Sequence, residues 1–423
     1  MIKFLFKGVV RDRHRSLFPV MIVSTGVALT VLLHCWLTGF VGDIVDSNAK
    51  FSTGHVKIMT KAYAENLSQV PNDLALTAVD TLIRMLDTAY PQMVFVRRIR
   101  FGGLVDVPDE NGETRAQGPA MGMAFDLLSA GSTELERLDI ANSIVRGRMP
   151  QQPGEILLSD MFASQMGIQP GETVTLMSST MYGSMALQNF TVSGMIRFGV
   201  MAMDRGALIM DIHDAQQALD MQDAAGEILG YFKNNQYDDL AALNVATDFA
   251  QRIKQTDEFS PVMERLTEQN DLGANLTYFG SIISSFVFIF VLAMSIVLWN
   301  AGLIGGLRRF GEMGLRLAIG EEKHHVYGSL IIESVFVGTI GSIIGSAIGL
   351  VLSYILQTKG IDLGGLMKSS SLMMPMVFRA QVTAQAYYIG FIPGLLSTVL
   401  GTALSGIGIY RRKTAHLFKE LEN

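Results

Sequence analysis

The chain has 423 residues, of which 49% are hydrophobic and 17% are charged, and its formal net charge at pH 7 is −6. This apolar content is too high for an ordinary soluble protein, and the charged fraction is too high for a bundle of bare membrane helices. The composition therefore predicts a chain that is partly membrane-embedded and partly soluble.

Residues 1–16 form the first predicted element, a cytoplasmic amphipathic helix. Its apolar residues recur at helical spacing with lysine and arginine between them, and they are Ile2, Leu5, Phe6, Val9 and Val10. That pattern is typical of a helix that lies in the membrane interface before the chain turns into the bilayer. A disordered basic leader that only fixes the orientation of the first span is the alternative.

Four apolar runs are each long enough to cross a bilayer, which takes about 20 residues of helix. They cover 17–42, 276–307, 326–357 and 380–410, and only the third run holds a charged residue, Glu333. Runs of this length disfavour the alternative of buried core helices in a soluble protein. The sole cysteine, Cys35, lies in the first run, so the soluble part can form no internal disulfide.

Basic residues flank the spans and set the predicted topology. They concentrate in the N-terminal segment, in the connector 308–325 and in the tail 411–423, which the positive-inside rule places in the cytoplasm. The segment 43–275 and the loop 358–379 then lie outside. The segment 43–275 carries a net charge of −14 and the rest of the chain +8. Its acidity argues against nucleic acid and against anionic headgroups as its ligands.

The external segment 43–275 alternates short apolar strands with helices, which predicts an α+β domain. We expect two lobes, with an inserted lobe at about 100–230. Within the inserted lobe, the charge-free "MSSTMYGSMALQ" at 177–188 predicts a hairpin. The predicted fold class is a membrane protein with four transmembrane α-helices and a large α+β extracytoplasmic domain between helices 1 and 2.

Sequence motifs for catalysis and for metal binding are absent. The chain has no phosphate loop, no H-E-x-x-H, no G-x-S-x-G and no cysteine–histidine spacing for zinc. His324 and His325 are two adjacent histidines that match no zinc-binding spacing. The 25 methionines are better explained as flexible apolar filler than as copper ligands. We therefore expect no catalytic residue, no metal site and no cofactor in this chain.

Small residues in the third span predict close helix packing. Gly341, Gly345 and Gly349 form two overlapping G-x-x-x-G repeats, which let another helix of this chain or of a second subunit approach closely. Glu333 lies in the same span, where an ionisable group usually has a partner or a functional role. A structural hydrogen bond, an ion pair with the connector and a transport role are all open for it.

The connector and the third span carry the most specific pattern in the chain. The segment "RRFGEMGLRLAIG" at 308–320, followed by Glu333 and the three glycines, resembles the signature of FtsX/MacB-type ABC permeases. The matching positions in the connector are Arg308, Arg309, Glu312, Gly314, Arg316 and Gly320. In that family this segment couples the permease to its ATPase. Gly311 and the pair Glu321-Glu322 depart from the residues usual in the family.

The resemblance implies a permease subunit without its own ATPase. ATP and magnesium would bind to separate ABC ATPase subunits, and a second permease copy, identical or related, would complete the complex. As a helix, the connector would place Arg308, Glu312 and Arg316 on one face, which we interpret as the docking surface for the ATPase. One span, a large external domain and three further spans make the layout most similar to the lipoprotein-releasing permeases LolC and LolE.

The same resemblance implies a partner for the hairpin at 177–188. In LolC and LolE a hairpin of the external domain docks a periplasmic carrier. Met177, Met181, Tyr182 and Met185 are therefore candidate contacts with a carrier or a lipoprotein. An ordinary hairpin packed on its own lobe is the alternative.

The predicted function is that of a permease in the bacterial inner membrane, among membrane lipids, with both termini cytoplasmic and the large domain periplasmic. It would couple ATP hydrolysis by its partner to domain motion that extracts or releases lipoproteins or another lipophilic substrate. The alternative is an FtsX-like mechanotransmitting regulator of a periplasmic cell-wall hydrolase.

Overall fold

The computed structural model describes residues 13–199, 201–269, 272–307, 310–362 and 377–407. The chain divides into a helical unit and an α/β unit. The helical unit comprises Met1–Gly42, Tyr278–Ile361 and Phe378–Asn423, and the α/β unit comprises Asp43–Thr277 and Asp362–Val377. Most of the predicted amphipathic helix at 1–16, most of the loop 358–379 and the tail 411–423 lie outside the described residues.

Long helices lie towards the two ends of the described chain, and most strands lie between them in sequence. The helices are α1 (Arg13–Asn48), α2 (Lys61–Glu65), α3 (Val79–Ala89), α4 (Glu134–Arg137), α5 (Ile140–Ser143), α6 (Asp160–Met166), α7 (Met201–Asp204), α8 (Ile212–Ala218), α9 (Asp239–Arg252), α10 (Leu272–Leu307), α11 (Phe310–Ala318), α12 (Lys323–Lys359) and α13 (Thr398–Gly406). The strands are β1 (Val56–Thr60), β2 (Leu76–Thr77), β3 (Met93–Pro108), β4 (Thr114–Phe125), β5 (Ile144–Gly147), β6 (Glu155–Ser159), β7 (Thr173–Ser179), β8 (Met185–Ile196), β9 (Ala207–Asp211), β10 (Ala224–Ala225), β11 (Glu227–Phe232), β12 (Pro261–Arg265), β13 (Ile361–Asp362) and β14 (Val377–Phe378).

Four helical stretches of the described residues are long and apolar enough to cross a membrane. They are Leu17–Thr53, Leu272–Gly305, Lys323–Lys359 and Ala384–Gly406. The first differs most from the span predicted at 17–42, because α1 continues to Asn48 and a π-helical segment follows it at Ala49–Thr53. A helix ends where its backbone hydrogen bonding ends, so its bounds need not coincide with those of the apolar run.

The fourth span is irregular. It begins with a 3₁₀ segment at Ala384–Tyr387, continues as a π-helical segment at Ile392–Ser397 and ends as α13. Pro393 lies in the π-helical segment and has no backbone N–H to donate, which interrupts the regular hydrogen-bond pattern. The apolar run predicted at 380–410 is therefore not one continuous α-helix over its described part.

In the α/β unit, the long strand β3 changes partners at its middle. Residues Met93–Arg98 pair with β11. Residues Ile99–Pro108 pair with β4 on one side, and Gly103–Asp106 pair with β7 on the other. Pairing then continues from β4 through β9, β6 and β8 back to β7, so six strands close into a ring. A second sheet has the order β12-β1-β11-β3.

The ring is formed by the middle of the unit and the second sheet mainly by its two flanks. Strands β6 and β9 of the ring are buried along their whole length, so both of their faces are covered. Ile156 and Leu158 of β6 belong to the main core, whereas Leu157 belongs to a second cluster with Met123 and Ile209. Four candidate spans and a mixed α/β insertion confirm the predicted fold class.

Candidate functional site

The connector between the second and third spans folds as the helix α11. Glu312 lies in its first turn and Arg316 in its last turn. An acidic residue at the N-terminus and a basic one at the C-terminus both complement the helix dipole, so the local sequence favours this helix. The chain then turns at Gly320, whose φ of +95° is readily adopted only by glycine.

The helix α11 has one packed face and one exposed face. Met313 is 4% exposed and packs with Val326 and Leu330 of α12. On the other side, Leu315 is 54% exposed and Ile319, just beyond the helix, is 79% exposed. The connector therefore presents apolar side chains, which sequence reasoning had not placed on its outer face.

The guanidinium of Arg316 binds Glu321 rather than Glu312. Its Nε and Nη2 each donate to a carboxylate oxygen of Glu321 at 2.6 Å, and its Nη1 donates to Oγ of Ser329 at 2.9 Å. The hydrogen bonds from Arg316 hold the pKa of Glu321 below its usual value. Arg316 thus ties the connector to the first turns of α12.

The six positions proposed to couple this chain to an ATPase are only partly described. Arg308 and Arg309 lie outside the described residues. Within the described residues, Gly314 is buried and Gly320 forms the turn. Their coupling role stays a prediction.

The glycines of the third span pack against α1 of the same chain. A Cβ placed on Gly345 would lie 2.5 Å from the carbonyl oxygen of Ser24 and 2.7 Å from Cβ of Val27. One turn away on either side, a Cβ on Gly341 would lie 2.6 Å from Cγ1 of Val23, and a Cβ on Gly349 would lie 2.9 Å from Cβ of Val31. The sequence predicted the close packing but left the identity of the neighbouring helix open.

Glu333 lies on the same helix, and its side chain is half-buried. It lines a small cavity together with residues of the first, second and fourth spans. This position is compatible with a functional role inside the helical unit as well as with a structural one.

The hairpin predicted at 177–188 is formed by β7, β8 and the turn between them. The backbone N–H of Met181 donates to the carbonyl oxygen of Leu219 at 2.7 Å, and the Met181 side chain packs against the main core. The turn therefore rests on its own unit. Tyr182 and Met185, in contrast, are each 76% exposed.

An apolar stripe crosses the outer face of this hairpin and continues onto β3. Met177 is half-buried and pairs with Leu187 on β8 and with Leu104 on β3. Leu187 is 60% exposed and Leu104 is 42% exposed. Sequence reasoning missed Leu104 and Leu187, although the period of two along each strand could have placed Leu187 beside Met185.

A buried cluster that sequence reasoning also missed holds the chain where it leaves α1. Arg98 is 2% exposed, and its Nε and Nη2 donate to Oε2 of Glu134, which is fully buried. Arg98 Nη1 donates to the carbonyl oxygen of Lys50 at 2.6 Å, and the Tyr231 hydroxyl donates to that of Ala49 at 3.0 Å. The carbonyl oxygen of Ala49 also accepts from the backbone N–H of Gly54, so this cluster, the helix-end clamp, adds side-chain hydrogen bonds where the helix ends.

A second buried cluster centres on Glu227. Lys57 is fully buried with its Nζ 3.2 Å from Oε1 of Glu227, and Arg100 donates to the same oxygen. Burial lowers the pKa of Lys57 to about 8, although Glu227 opposes that shift. Lys57 is therefore a group whose proton affinity differs between the folded and unfolded chain.

The free energy of unfolding of the α/β unit should increase with pH above about 8. Unfolded Lys57, with a pKa near 10.4, keeps a proton that the folded form releases at about 8, so raising the pH favours the folded state. Below about 8 this gain is lost. Burial raises the pKa of Tyr63 and of Tyr231, which acts in the opposite direction above about pH 10.

This pH dependence can be measured as the urea concentration at which β1 is unfolded in half of the molecules, determined at pH 8 and at pH 9.5. Full-length protein in detergent receives a short deuterium pulse in one common buffer after equilibration in urea. Mass spectrometry of the deuterium taken up by β1 then gives the fraction of molecules in which β1 is folded. Lys57→Met should reduce the increase of this midpoint with pH, whereas Lys61→Met, at an exposed lysine, should leave that increase unchanged. An equal rise in both variants would remove Lys57 as its cause.

Comparison with known proteins identifies the C-terminal membrane region. Residues 284–414 match the FtsX-like permease C-terminal family. This range holds the connector, the third span and the fourth span, so the resemblance to FtsX/MacB-type ABC permeases is confirmed there. The periplasmic region of MacB from Actinobacillus actinomycetemcomitans shares 9% identity with a TM-score of 0.35, covering 52% of this chain and 93% of that chain. No curated protein matches the chain.

Proposed function

We propose that this chain, which carries an FtsX-like permease domain at residues 284–414, is the membrane subunit of an ABC transporter. Separate ATPase subunits would hydrolyse ATP, and two permease copies would convert the resulting motion into work outside the cytoplasm. The work would be the extraction or release of a lipoprotein or another lipophilic substrate from the inner membrane. The observation that carries the proposal is the connector, because it combines an exposed apolar face with a tie to the third span.

The exposed face of the connector supports docking by a partner protein. Leu315 on α11 and Ile319 just beyond it form an exposed apolar patch, and the exposed Glu312 lies one helical turn before Leu315. Apolar side chains rimmed by charge are typical of protein interfaces, where a few such anchors supply most of the binding energy. In this proposal the ATPase grips this apolar patch, and the charged residues predicted from the sequence orient it.

The tie made by Arg316 supports transmission of force. A bidentate contact between a guanidinium and a carboxylate fixes orientation as well as distance. Since Arg316 also donates to Ser329, it joins the connector both to the turn before α12 and to the second turn of α12. A displacement of the connector by the ATPase would then move α12 with it.

Two substitutions separate docking from transmission. Ile319→Asp should remove the ABC ATPase from complexes extracted in mild detergent, because a charge replaces an apolar anchor. Arg316→Ala should leave the ATPase bound but weaken, by about tenfold, the coupling between nucleotide and deuterium exchange in the α/β unit. Mass spectrometry measures both the bound subunits and the exchange, with and without ATP and magnesium.

The exposed pair between Arg115 and Glu172 supplies a matched control. Arg115→Ala should change neither ATPase binding nor the response to nucleotide. Absence of an ABC ATPase from the wild-type complex would overturn the proposed function. An unchanged response in Arg316→Ala would overturn only the role of the tie.

The layout similar to LolC and LolE directs the finer proposal to the hairpin. Tyr182, Met185, Leu187 and Leu104 present an apolar stripe that suits a lipid-modified protein or its carrier. The same mass spectrometry identifies the other proteins that remain bound to the extracted complex. A lipoprotein or a carrier supports release, whereas a cell-wall hydrolase or its activator would favour the regulatory alternative.

A further inference from the structure

The cavity beside Glu333 lies within the helical unit and is bordered by all four spans. It has a volume of about 50 Å³. A buried water needs roughly 10–15 Å³ of cavity volume, so the cavity has room for a group of a few heavy atoms. Gly302 and Gly305 of α10 contribute to its wall without side chains.

The hydroxyl groups around this cavity can act only as acceptors towards a ligand. Ser334 Oγ donates to the carbonyl oxygen of Ile331 at 2.8 Å, and Thr398 Oγ1 donates to that of Gly394 at 2.7 Å. Thr402 Oγ1 donates to the carbonyl oxygen of Thr398 at 2.9 Å. Because each hydroxyl has one hydrogen, only lone pairs remain for anything in the cavity.

Glu333 adds a carboxylate to this set of acceptors. A carboxylate offers about four lone-pair directions, so it can accept from a ligand in addition to a partner within the protein. The remaining wall is largely apolar and includes Pro19, Val23 and Val337. A small ligand that donates several hydrogen bonds, carries positive charge and has a short apolar stem matches these surroundings.

We propose that this cavity binds a primary ammonium group, with Glu333 as its counter-ion and the Ser334, Thr398 and Thr402 hydroxyls as acceptors. The group has two possible sources, the headgroup of an aminophospholipid and a free small amine. A quaternary ammonium has no N–H to donate, so the site discriminates against it. The proposal does not depend on an ATPase partner and therefore stands or falls separately from the proposed function.

Thermal unfolding of the full-length protein in detergent provides the test. Both tryptophans, Trp36 and Trp299, belong to the helical unit, so tryptophan fluorescence reports its unfolding. The probes are dihexanoylphosphatidylethanolamine, its choline counterpart, methylammonium chloride, and potassium chloride at matched ionic strength. A ligand that binds only the folded state raises Tm in a saturable manner.

The expected result is a rise with the ethanolamine lipid and none with the choline lipid or with potassium chloride. If methylammonium also raises Tm, the site binds the ammonium group from either source. If only the ethanolamine lipid raises Tm, the site binds the lipid headgroup. Equal rises with the two lipids, or none with either ammonium probe, would overturn the proposal.

Substitutions locate the binding site. Glu333→Gln should weaken the apparent affinity about tenfold or more, because a charge-assisted hydrogen bond is lost. Ser334→Ala removes one acceptor and should weaken it less, which keeps the test valid if Glu333→Gln does not fold. Glu322→Gln, at an exposed carboxylate outside the cavity, is the matched control. An affinity unchanged in both cavity variants would contradict the assignment.

Discussion

Glu134→Gln should destabilise the α/β unit by about 3–5 kcal/mol, because it leaves a buried guanidinium without its counter-ion. Glu134 is fully buried and Arg98 is 2% exposed, so water cannot replace the lost carboxylate. Arg137 pairs with the same carboxylate and would lose its partner too. The guanidinium of Arg98, which donates to the carbonyl oxygen of Lys50, would also lose the carboxylate that orients it.

Native-state hydrogen exchange of full-length protein measures this loss. Amides of β3 and β11 should exchange with a free energy of opening lower by the stated amount. Glu172→Gln is the control, since its partner Arg115 is 43% exposed and such surface pairs contribute about 0–1 kcal/mol. Similar losses in the two variants would show that the clamp has no special role in stability.

Gly345→Ala should destabilise the helical unit by about 1–3 kcal/mol through overpacking. The added methyl group would lie 2.5 Å from the carbonyl oxygen of Ser24, and a backbone atom cannot move aside as a side chain can. The helices α1 and α12 would have to separate along their whole glycine contact, which also includes Gly341 and Gly349.

The same helix supplies the control for this substitution. A Cβ on Gly328 would meet nothing within 4 Å, so Gly328→Ala should cost nothing and gain helix propensity. Tryptophan fluorescence follows thermal unfolding of both variants in detergent. A lower Tm for Gly345→Ala alone is expected, and equal Tm values would contradict the packing contact.

The membrane spans show which structural features a local sequence pattern can predict. Long apolar runs predicted four membrane helices, because burial in a bilayer requires apolar side chains all along a helix. The same runs did not predict that α1 continues to Asn48 or that the fourth span contains a π-helical segment. Those features depend on backbone hydrogen bonding and on Pro393 rather than on hydropathy.

The connector illustrates where local pattern misleads. The spacing of Glu312 and Arg316 placed both on one charged face of the connector, yet Arg316 binds Glu321 beyond the turn at Gly320. The chain reverses at Gly320 and brings the carboxylate of Glu321 to within 2.6 Å of the Arg316 guanidinium, a contact that the i, i+4 spacing along the helix does not reveal. Leu315 and Ile319 are exposed apolar side chains of the connector, which its charge pattern did not indicate.

By itself, the sequence determined the membrane spans, the α+β character of the insertion and the resemblance to FtsX/MacB-type permeases. These follow from hydropathy, periodicity and a motif whose residues are close in the chain. Only the tertiary structure decided the helix that meets Gly345, the cavity at Glu333 and the clamp around Arg98. Arg98 is 36 positions from Glu134 and 133 from Tyr231, and the sheet and helix packing of the fold brings them together. A contact between distant residues is a consequence of topology, which single-residue patterns do not encode.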